Sequence, residues 1–486
     1  MTQIFLASTS LTVATMAAAI DEGRFDEGRP QSRVLVLYSS AYAPETQPAL
    51  DESPGFGALL KRFDEVLSWN DLIYPYHAHE WSPHSDDALL LQRLLREHWG
   101  LGTEDPALVV EAIQVNPALA LAALFPDSPL HVVSDGLMTY GPTRNRLPMS
   151  VGTRVEQLMH VDLVPGLTPV LLSEFRVPSR CVDPAPLRAV LAEVAAECAP
   201  LVEDELRGLR GAASVVLGQY LSALGVLSEA EEARLHHDLL VRTGRVRQGP
   251  VIFKPHPAAA PTSVRRLVEG AREAGVTVKV STAPAPAEVL YDTLLPTLVS
   301  TCFSTGAATA AQLYGLTAAS YGADVVLGRL APYPNSNRIP ATVVHALLPR
   351  LTSEGISEPY VAPGQVSGEG QRLVSAVAYC MQPTLYPWLR EDAESLVRQQ
   401  GEEAARPYIG RDQVLLLGLF GAGRPLMRVA STSYRLAARA RRVGGRLARR
   451  LSRERTAGPP SGAGGWPGSS RRNAPEGARP GPRSRE

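Results

Sequence analysis

Cysteine is scarce in this chain, and long apolar runs are missing from it. The 486 residues include only four cysteines, with no Cys-x-x-Cys spacing among Cys181, Cys198, Cys302 and Cys380. So few cysteines in so long a chain argue against a secreted disulfide framework. No stretch of about 18 uninterrupted apolar residues occurs, which argues against a membrane-spanning helix. These absences favour a protein of the reducing cytoplasm.

The first twenty residues are apolar enough to imitate a signal peptide, but two features argue against one. No basic segment precedes them, and Ser8, Thr9 and Ser10 interrupt the apolar run. The pattern instead predicts a strand at 3–7 and a helix from Leu11 to Ile20 that Ser10 caps. We therefore expect no cleaved leader.

Net charge is nearly absent, at −1, but its distribution is uneven. Residues 424–486 contain 16 arginines against three glutamates (+13), which leaves −14 on residues 1–423. From Tyr434 to Arg455, apolar and arginine side chains fall on adjoining helical faces, a pattern typical of a helix on an anionic membrane surface. An RNA-binding or purely solubilising tail stays open as an alternative, although we expect no nucleic-acid partner. Beyond Ala457 the composition predicts disorder.

What the chain does contain is a regular alternation of apolar β-branched runs and helical patterns. Strands are predicted at 3–7, 33–38, 108–111, 129–133, 213–218, 250–254, 277–280 and 297–300. Helices are predicted at 11–20, 56–67, 87–96, 117–123, 185–207, 228–240, 262–274 and 305–314. This order predicts an α/β fold in which helices cover parallel sheets. We find no repeat of solenoid period.

The length, with 45% hydrophobic and 20% charged residues, is sufficient for two domains and a remainder. The strand at 213–218 opens the second domain, so we place the boundary near residue 205. The predicted units are an amino-terminal domain, a carboxy-terminal domain, helices that pack back on both, and a basic tail, at 1–204, 205–350, 351–410 and 411–486.

Three segments with chemically active side chains each follow a predicted strand. They are Val-Val-Ser-Asp-Gly at 132–136, Phe-Lys-Pro-His-Pro at 253–257 and Ser-Thr-Cys-Phe-Ser-Thr-Gly at 300–306. Open α/β sheets bind their ligands at the carboxyl ends of the strands. Together the three segments predict a nucleotide-sugar site.

The same segments resemble bacterial sialyltransferases and polysialyltransferases of GT-B fold, which share an acidic-Gly pair, a His-Pro pair and a Ser/Thr pair. Residues 2–10, 110–117 and 134–144 look specifically like the alpha-2,8-polysialyltransferase family, and the likeness covers about residues 1–350. It implies two Rossmann-like domains that face a cleft, with the acceptor bound mainly by the first and the nucleotide sugar by the second. The implied reaction is inverting, metal-independent transfer of sialic acid or a related nonulosonic acid from its CMP-activated donor to a glycan. No other cofactor is implied.

Asp135 is the candidate catalytic base. One-step inversion needs a carboxylate to take the proton of the acceptor hydroxyl as that hydroxyl attacks the anomeric carbon. The resemblance assigns this role to Asp135, and Gly136 is expected to let the backbone turn beneath the acceptor. The family usually carries two acids before the glycine, but Ser134 replaces the first, which puts a second carboxylate in doubt. An Asp135 that only ends the strand or caps a helix is the alternative.

His256 is the second candidate catalytic residue. An imidazole at a strand end can donate a hydrogen bond or a proton to the departing phosphate of a CMP-sugar. Pro257 fixes the turn after it, and Pro255 keeps Lys254 extended. An ordinary histidine in a proline-rich loop is the alternative reading. Lys254 faces the nucleotide or covers the sheet edge.

The remaining nucleotide-binding candidates lie downstream. Ser304, Thr305 and Gly306 open a small-residue helix whose amides and hydroxyls suit a phosphate, although such caps are often only structural. The resemblance suggests that Glu288 accepts hydrogen bonds from the ribose hydroxyls, as an acid does in dinucleotide sites. A solvated glutamate at a helix start is an equal alternative.

Six residues are the acceptor-binding candidates: Ser8, Thr9, Gln114, Asn116, Gly136 and Arg144. Asn116 and Gln114 either line the acceptor cleft or belong to a helix start. Arg144, and also Arg154, would meet acceptor carboxylates, because arginine binds carboxylate in a fork; ordinary surface arginines are the alternative. His77, His79 and His84 lack helical ligand spacing, so we expect a loop near the cleft and no metal there.

Two other functions share parts of this pattern. A CDP-glycerol or CDP-ribitol phosphotransferase of teichoic-acid type presents similar His-Pro and Ser/Thr segments but does not explain the long segment around Asp135. A non-catalytic glycan-binding relative would explain Ser134. The sequence leaves open the acceptor, the exact sugar, and whether one residue or a capsule-type polymer is added.

Overall fold

The computed structural model describes residues 2–26, 32–41, 44–46, 48–256 and 259–419. Within these residues there are two seven-stranded sheets. The strands of the first sheet are β1 (Thr2–Ala7), β2 (Ser32–Leu37), β3 (Glu65–Ser68), β4 (Ala107–Glu111), β5 (Leu130–Ser134), β6 (Val155–Val161) and β7 (Ser179–Val182). Those of the second are β8 (Ser214–Leu217), β9 (Val251–Lys254), β10 (Val278–Val280), β11 (Val299–Thr301), β12 (Ala318–Ser320), β13 (Arg350–Leu351) and β14 (Ile356–Ser357).

Sixteen α-helices accompany these strands in the described residues. They are α1 (Ser10–Asp21), α2 (Phe56–Leu60), α3 (Trp69–Ile73), α4 (Ala88–His98), α5 (Ala118–Leu124), α6 (Met149–Gly152), α7 (Pro184–Leu206), α8 (Glu229–Val246), α9 (Pro261–Glu273), α10 (Ala287–Leu294), α11 (Thr305–Tyr314), α12 (Ala323–Arg329), α13 (Arg338–Leu347), α14 (Gln371–Met381), α15 (Arg390–Ala405) and α16 (Arg411–Leu417). We call the first sheet with α1–α7 the first lobe, and the second sheet with α8–α13 the second lobe.

The first sheet is parallel throughout, in the order β3-β2-β1-β4-β5-β6-β7. The second has the order β10-β9-β8-β11-β12-β13-β14 and is parallel except for the final pair. In both, the strand order reverses direction beside the first strand of the lobe, between β1 and β4 and between β8 and β11. Ligands of open α/β sheets bind at such switch points.

The carboxyl-terminal edges of the two sheets face each other. Gly136 follows β5 and Thr305 follows β11, and a Cβ built on Gly136 would lie 3.5 Å from Thr305 Oγ1. Helix α13 of the second lobe also reaches the first, because Ile339 packs directly against Gly141. Two Rossmann-like lobes that face a cleft are the GT-B arrangement that the sequence predicts.

One predicted helix is wrong in its second half. The helix expected at 56–67 ends at Leu60, and residues 65–68 form strand β3, which pairs with β2. Hydrogen bonding to a neighbouring strand overrides the local helical pattern here. The cap of α1 also differs, because the side chain of Thr9, and not of Ser10, accepts the hydrogen bond from the Thr12 amide.

The segment after the second sheet contacts both lobes. Tyr386 is fully buried; its hydroxyl accepts a hydrogen bond from the Thr143 amide at 2.8 Å and donates to Glu174 in the first lobe. Tyr408 contacts the second lobe, with its hydroxyl 2.9 Å from His345 Nδ1. The sequence-based domain limits, including the boundary near residue 205, stay predictions. The predicted basic helix and disordered tail beyond residue 419 lie outside the described residues.

Candidate active site

Asp135 sits at the carboxyl end of β5 beside the start of α1. Thr12 donates its hydroxyl hydrogen to Asp135 Oδ2 at 2.8 Å. The hydroxyls of Thr9 and Thr12 are also 2.8 Å apart, and since the Thr12 hydrogen is used, Thr9 is the donor of that pair. Two hydroxyls of the first turn of α1 therefore form a chain that ends on the Asp135 carboxylate.

A second carboxylate lies on the neighbouring strand. Glu111 ends β4 and is 8% exposed, and Ser8 donates its hydroxyl to Glu111 Oε1. The Tyr38 hydroxyl lies within hydrogen-bonding reach of both Glu111 and Ser8. The sequence analysis missed Glu111, Thr12 and Tyr38. The only sequence signal for Glu111 was its place at the end of a buried apolar strand.

The Asp135 carboxyl is a stronger base than an ordinary aspartate. Burial raises its pKa to about 6, the negative charge of Glu111 adds to this shift, and Glu288 contributes in the same direction. The hydrogen bond from Thr12 opposes the shift. A carboxylate with a pKa near the working pH is suited to general-base catalysis, because it is both ionised and basic.

Gly136 differs from the prediction made for it. Its φ of −123° is extended backbone that any residue adopts, so no glycine-specific turn lies beneath the acceptor. Its environment is instead the facing lobe, where Thr305 Oγ1 is the single atom within 4 Å of a built Cβ. Gly136 keeps this part of the cleft narrow and free of side chains.

Glu288 lies in the first turn of α10. Its carboxyl is 5% exposed, and Thr309 of α11 donates to Glu288 Oε1 at 2.9 Å. Burial raises the pKa of Glu288, and the positive charge of Lys254 opposes this. The reading of Glu288 as a solvated glutamate is therefore wrong. Lys254 donates to the carbonyl of Ala283, and burial lowers its pKa.

The start of α11 places the predicted phosphate-binding residues together. Ser304 is the N-cap, and its hydroxyl accepts from the Gly306 amide at 3.2 Å. Thr305 points across the cleft toward Gly136. A Cβ on Gly306 would lie 2.7 Å from Leu217 Cδ1 and 3.0 Å from the Tyr291 hydroxyl, so close packing requires glycine here.

His256 is exposed, and its described contacts differ from those of Asp135 and Glu288. Its ring stacks on Tyr220, with centroids 5.8 Å apart and planes 14° apart. Burial of part of the ring lowers the pKa of His256, and Glu232 opposes this. Both rings line a cavity of about 920 Å³ between α8 and α9. Pro257 lies outside the described residues.

Two side chains of α8 hold the loop that carries Tyr220. Glu232 accepts hydrogen bonds from the Leu221 amide at 2.6 Å and from Ser222, and His236 Nε2 accepts from the Gln219 amide at 3.0 Å. Gln219 in turn accepts from the Phe303 amide, next to the predicted phosphate-binding segment. This loop thus connects His256 with the start of α11.

The acceptor candidates fall into two groups. Ser8 and Thr9 belong to the hydrogen-bonded groups around Glu111 and Asp135 described above. Gln114 accepts through Oε1 from the amides of Arg144 and Asn145, so it holds the loop that carries Arg144. Asn116 is partly buried and stands two residues before α5, whose N-cap is Pro117.

The two predicted arginines differ sharply. Arg154 donates to the carbonyls of Ala122, Phe125 and Ser128 at the end of α5 and beyond it, so it holds a helix end and is no longer an acceptor candidate. Arg144 is partly buried, and burial alone lowers its pKa. No carboxylate among the described residues forms a salt bridge with its guanidinium.

The loop that carries His77, His79 and His84 lies beside Glu111 of the first lobe. The His79 ring contacts the Tyr38 ring at 6.3 Å, and Glu111 opposes the lowering of the His79 pKa that burial causes. His77 Nε2 is 2.9 Å from the carbonyl of Ala41, and His84 pairs with Asp86.

Within the described residues no three His, Cys, Asp or Glu side chains are arranged to hold a metal. In the same residues, no helix has the length and apolarity needed to cross a membrane.

Comparison with known proteins gives one family. The model of the family Alpha-2,8-polysialyltransferase (POLYST) matches residues 3–323, which is more than half of the chain. No curated protein matches the chain.

Similar solved structures are distant. The GT-B domain of a sialyltransferase from Photobacterium damselae (residues 113–497) is 12% identical with a TM-score of 0.36, over 64% of this chain and 88% of that one. Phytolacca americana UGT2, complexed with UDP-2fluoro-glucose and pterostilbene, is 12% identical with a TM-score of 0.41, over 83% and 96%. UDP-GlcNAc 2-epimerase from Methanocaldococcus jannaschii is 10% identical with a TM-score of 0.39, over 78% and 100%. At this distance they give no information on substrate or mechanism.

Proposed function

Because the chain belongs to the alpha-2,8-polysialyltransferase family and is therefore a glycosyltransferase, we propose that it transfers sialic acid or a related nonulosonic acid from a CMP-activated donor to a glycan hydroxyl, with inversion and without a metal. The observation that carries the proposal is Asp135, a carboxyl with a pKa of about 6 at a sheet edge that faces the second lobe.

Asp135 would act on the acceptor. The acceptor oxygen attacks the anomeric carbon and forms the new C–O bond, while the bond from that carbon to the CMP phosphate oxygen breaks. The hydroxyl proton passes to Asp135, whose other oxygen is held by Thr12. The raised pKa makes Asp135 a better proton acceptor than a solvent-exposed aspartate.

The donor would lie on the second lobe. The positive end of helix α11 and the hydroxyls of Ser304 and Thr305 suit the phosphate, because a helix N-terminus favours anions. Lys254 would add positive charge, and Glu288 would accept hydrogen bonds from the ribose hydroxyls. His256 would protonate or hydrogen-bond the departing phosphate, which requires its ring to leave Tyr220.

Arg144 would bind the acceptor. A polysialic acceptor carries one carboxylate per sugar, and a partly buried guanidinium without a described carboxylate partner matches that charge. Gln114 fixes the backbone of Arg144, which restricts where the guanidinium reaches. The site would thus select acidic glycans over neutral ones.

The donor assignment is tested by ligand-induced thermal stabilisation in EDTA. CMP at 100 times its Kd should stabilise the protein by about 2.7 kcal/mol, since a ligand that binds only the folded state shifts the unfolding equilibrium. UMP and GMP serve as controls and should stabilise less. Equal shifts for all three nucleotides, or none, would remove the cytidine assignment.

A donor panel then separates the candidate reactions. Turnover with a CMP-activated nonulosonic acid and a sialylated acceptor supports the proposal. Turnover with CDP-glycerol alone would make the protein a phosphotransferase of teichoic-acid type. CMP binding with no turnover on either donor would indicate a non-catalytic glycan-binding relative.

The location of the protein is a separate proposal. The arginine-rich segment at 434–455 would hold the enzyme on the inner, anionic face of the cell membrane.

A further inference from the structure

Glu111 is a buried carboxylate at the end of β4 to which the proposed reaction assigns no role. Strands β4 and β5 are parallel neighbours, with Glu111 opposite Val133, two residues before Asp135. Neighbouring strands lie about 4.8 Å apart, so the ends of these two strands bring both carboxyls to one edge of the sheet. Glu111 also stands at the switch point between β1 and β4.

The surroundings of Glu111 contain hydroxyl donors and no described cationic partner. Ser8 donates to it, the Tyr38 hydroxyl lies within reach, and the carboxyl is 8% exposed. No lysine or arginine of the described residues forms a salt bridge with it. A buried carboxylate that hydroxyls alone satisfy is costly to the fold, so its retention points to a role other than stability.

Ser134, the residue before Asp135, does not supply a second negative charge beside it. Ser134 and Asp135 point to opposite faces at the strand end, and the Ser134 hydroxyl is 2.6 Å from the Thr139 hydroxyl. Asp135 instead turns toward Thr12 of α1. The negative charge beside Asp135 therefore comes from the neighbouring strand and not from the preceding residue.

We propose that Glu111 is a positioning residue for the transfer reaction, which acts through Asp135 and supplies the second negative charge of the acceptor site. The proposal rests on the proposed function, in which Asp135 takes the acceptor proton. Glu111 keeps Asp135 strongly basic by repulsion. Through its contacts with Ser8 and Tyr38, Glu111 also orders the polar side chains next to which the acceptor hydroxyl would bind.

The pKa of Asp135 reflects burial, one hydrogen bond and charges from both lobes. Burial is the largest cause of its raised pKa, Glu111 is next, the Thr12 hydrogen bond lowers it, and Glu288 of α10 raises it from the facing lobe. Lys254 partly offsets the charge of Glu288, and His79 lies near Glu111. Removal of the Glu111 charge should lower the pKa of Asp135, since a like charge disfavours the ionised form.

The pH profile of kcat/KM tests the proposal. With the Asp135 pKa at about 6, the wild type should keep about one tenth of its maximal rate at pH 5, one pH unit below the midpoint. Glu111→Gln keeps the shape and loses the charge, so its acidic midpoint should move to lower pH. At pH 5 it should retain several-fold more of its own maximum than the wild type. That maximum should be lower, because Asp135 becomes a weaker base.

The matched control is Glu156→Gln, which removes an exposed carboxylate near the opposite end of the neighbouring strand β6 and should leave the midpoint in place. An unmoved midpoint in Glu111→Gln, with a CMP-induced thermal shift that proves folding, overturns the proposal. If Glu111→Gln does not fold, Glu111→Asp decides. A loss of about tenfold or more in kcat at an unchanged midpoint supports the proposal, and wild-type kinetics overturn it.

The kinetic results that would contradict the proposed function differ from those that would contradict the role of Glu111 alone. A wild type with no transfer, or a midpoint that Asp135→Asn does not abolish, removes the base itself. A wild-type midpoint near 6 that depends on Asp135 but not on Glu111 removes only the role of Glu111.

Discussion

At the scale of single residues, the site depends on how far the environment changes one carboxyl group. Asp135 receives a hydroxyl hydrogen from Thr12 and feels the charges of Glu111 and Glu288. An aspartate on an open strand end would have none of these neighbours. The basicity of Asp135 therefore follows from the packing of three separate segments around it.

Replacement of the base should separate catalysis from donor binding. We expect Asp135→Asn to lower kcat by about 100-fold or more, since general-base contributions reach that size. Its CMP-induced thermal shift should stay normal, because the proposed donor site lies on the other lobe. His256→Ala should reduce both. Steady-state kinetics and thermal shifts measure these effects, and near-normal turnover of Asp135→Asn would refute the mechanism.

The control for this substitution is Asp127→Asn. Asp127 is exposed in the turn before β5, at the opposite end of that strand, so its removal should change neither turnover nor CMP binding. Equal losses in the two variants would indicate a general effect of charge on the sheet.

The same residue should affect stability with a defined pH dependence. The pKa of Asp135 is about 6 in the fold against 3.8 for an ordinary aspartate, so the fold favours the protonated form and loses stability as pH rises through 6. Asp135→Asn should therefore stabilise the protein at pH 8 by roughly 1–3 kcal/mol. That gain should shrink toward pH 4. Denaturant unfolding at both pH values measures it, and a gain independent of pH would contradict the assigned pKa.

Sequence reasoning reached some of these residues and missed others for a physical reason. Asp135 and Ser304 stand in local motifs directly after strands, so their neighbours in sequence reveal them. Glu111 and Thr12 carry no such signal, because their meaning arises only when strand order places β1, β4 and β5 side by side. Arg154 was wrongly named as an acceptor candidate. No local sequence pattern indicates that its guanidinium binds the carbonyls at the end of α5.

At the scale of elements, long periodic segments were predictable and small or mixed ones were not. The eight predicted strands all occur, and helices α7, α9 and α11 lie within one residue of their predicted bounds. Strand β6 carries Glu156 and Gln157, and β12 is Ala-Ala-Ser, so neither shows an apolar β-branched run. Strand β3 was hidden inside a helical pattern that only pairing with β2 breaks.

Helix α11 should be sensitive to one added methyl group. Gly306→Ala places a Cβ against Leu217 and Tyr291, so we expect a loss of about 1–3 kcal/mol in the free energy of unfolding, as for other overpacked cores. The displaced helix start should also weaken the CMP-induced thermal shift. Chemical denaturation and thermal shift assays measure the two effects.

Gly328→Ala is the matched control, because Gly328 lies in helix α12 with no atom within 4 Å of a built Cβ. This change should be neutral or stabilise by about 0.5–1 kcal/mol, the usual difference between alanine and glycine in a helix. If the two variants lose stability equally, steric contact at Gly306 is not the cause.

At the scale of the whole molecule, helix α7 and the last helices connect the lobes. Helix α7 packs on α1 and α2 of the first lobe and on α10 of the second. Arg62 of the first lobe bonds both Asp21 and Glu193, which ties α1 and α7 to the same guanidinium. The two lobes are thus joined by helices that pack on both of them.

The tail should act independently of this body. Truncation after Gly423 should release the protein from anionic vesicles, because each arginine near such a surface contributes on the order of 1 kcal/mol. Turnover on a soluble acceptor should stay intact. Cosedimentation of full-length and truncated protein at low and high salt measures binding, which salt should weaken. Binding that is absent, or equal in both proteins, would rule out a membrane role.

The buried hydroxyl of Tyr386 affects the order in which hydrogen bonds form while the chain is synthesised. It satisfies Thr143 and Glu174, and 243 positions separate it from Thr143. A ribosome that adds roughly 5–20 residues per second needs about 10–50 s to cross that interval. Until then, the Thr143 amide and the Glu174 carboxylate must bond to water. The first lobe therefore emerges before the second, but its buried bonds at Thr143 and Glu174 are complete only after Tyr386 has emerged.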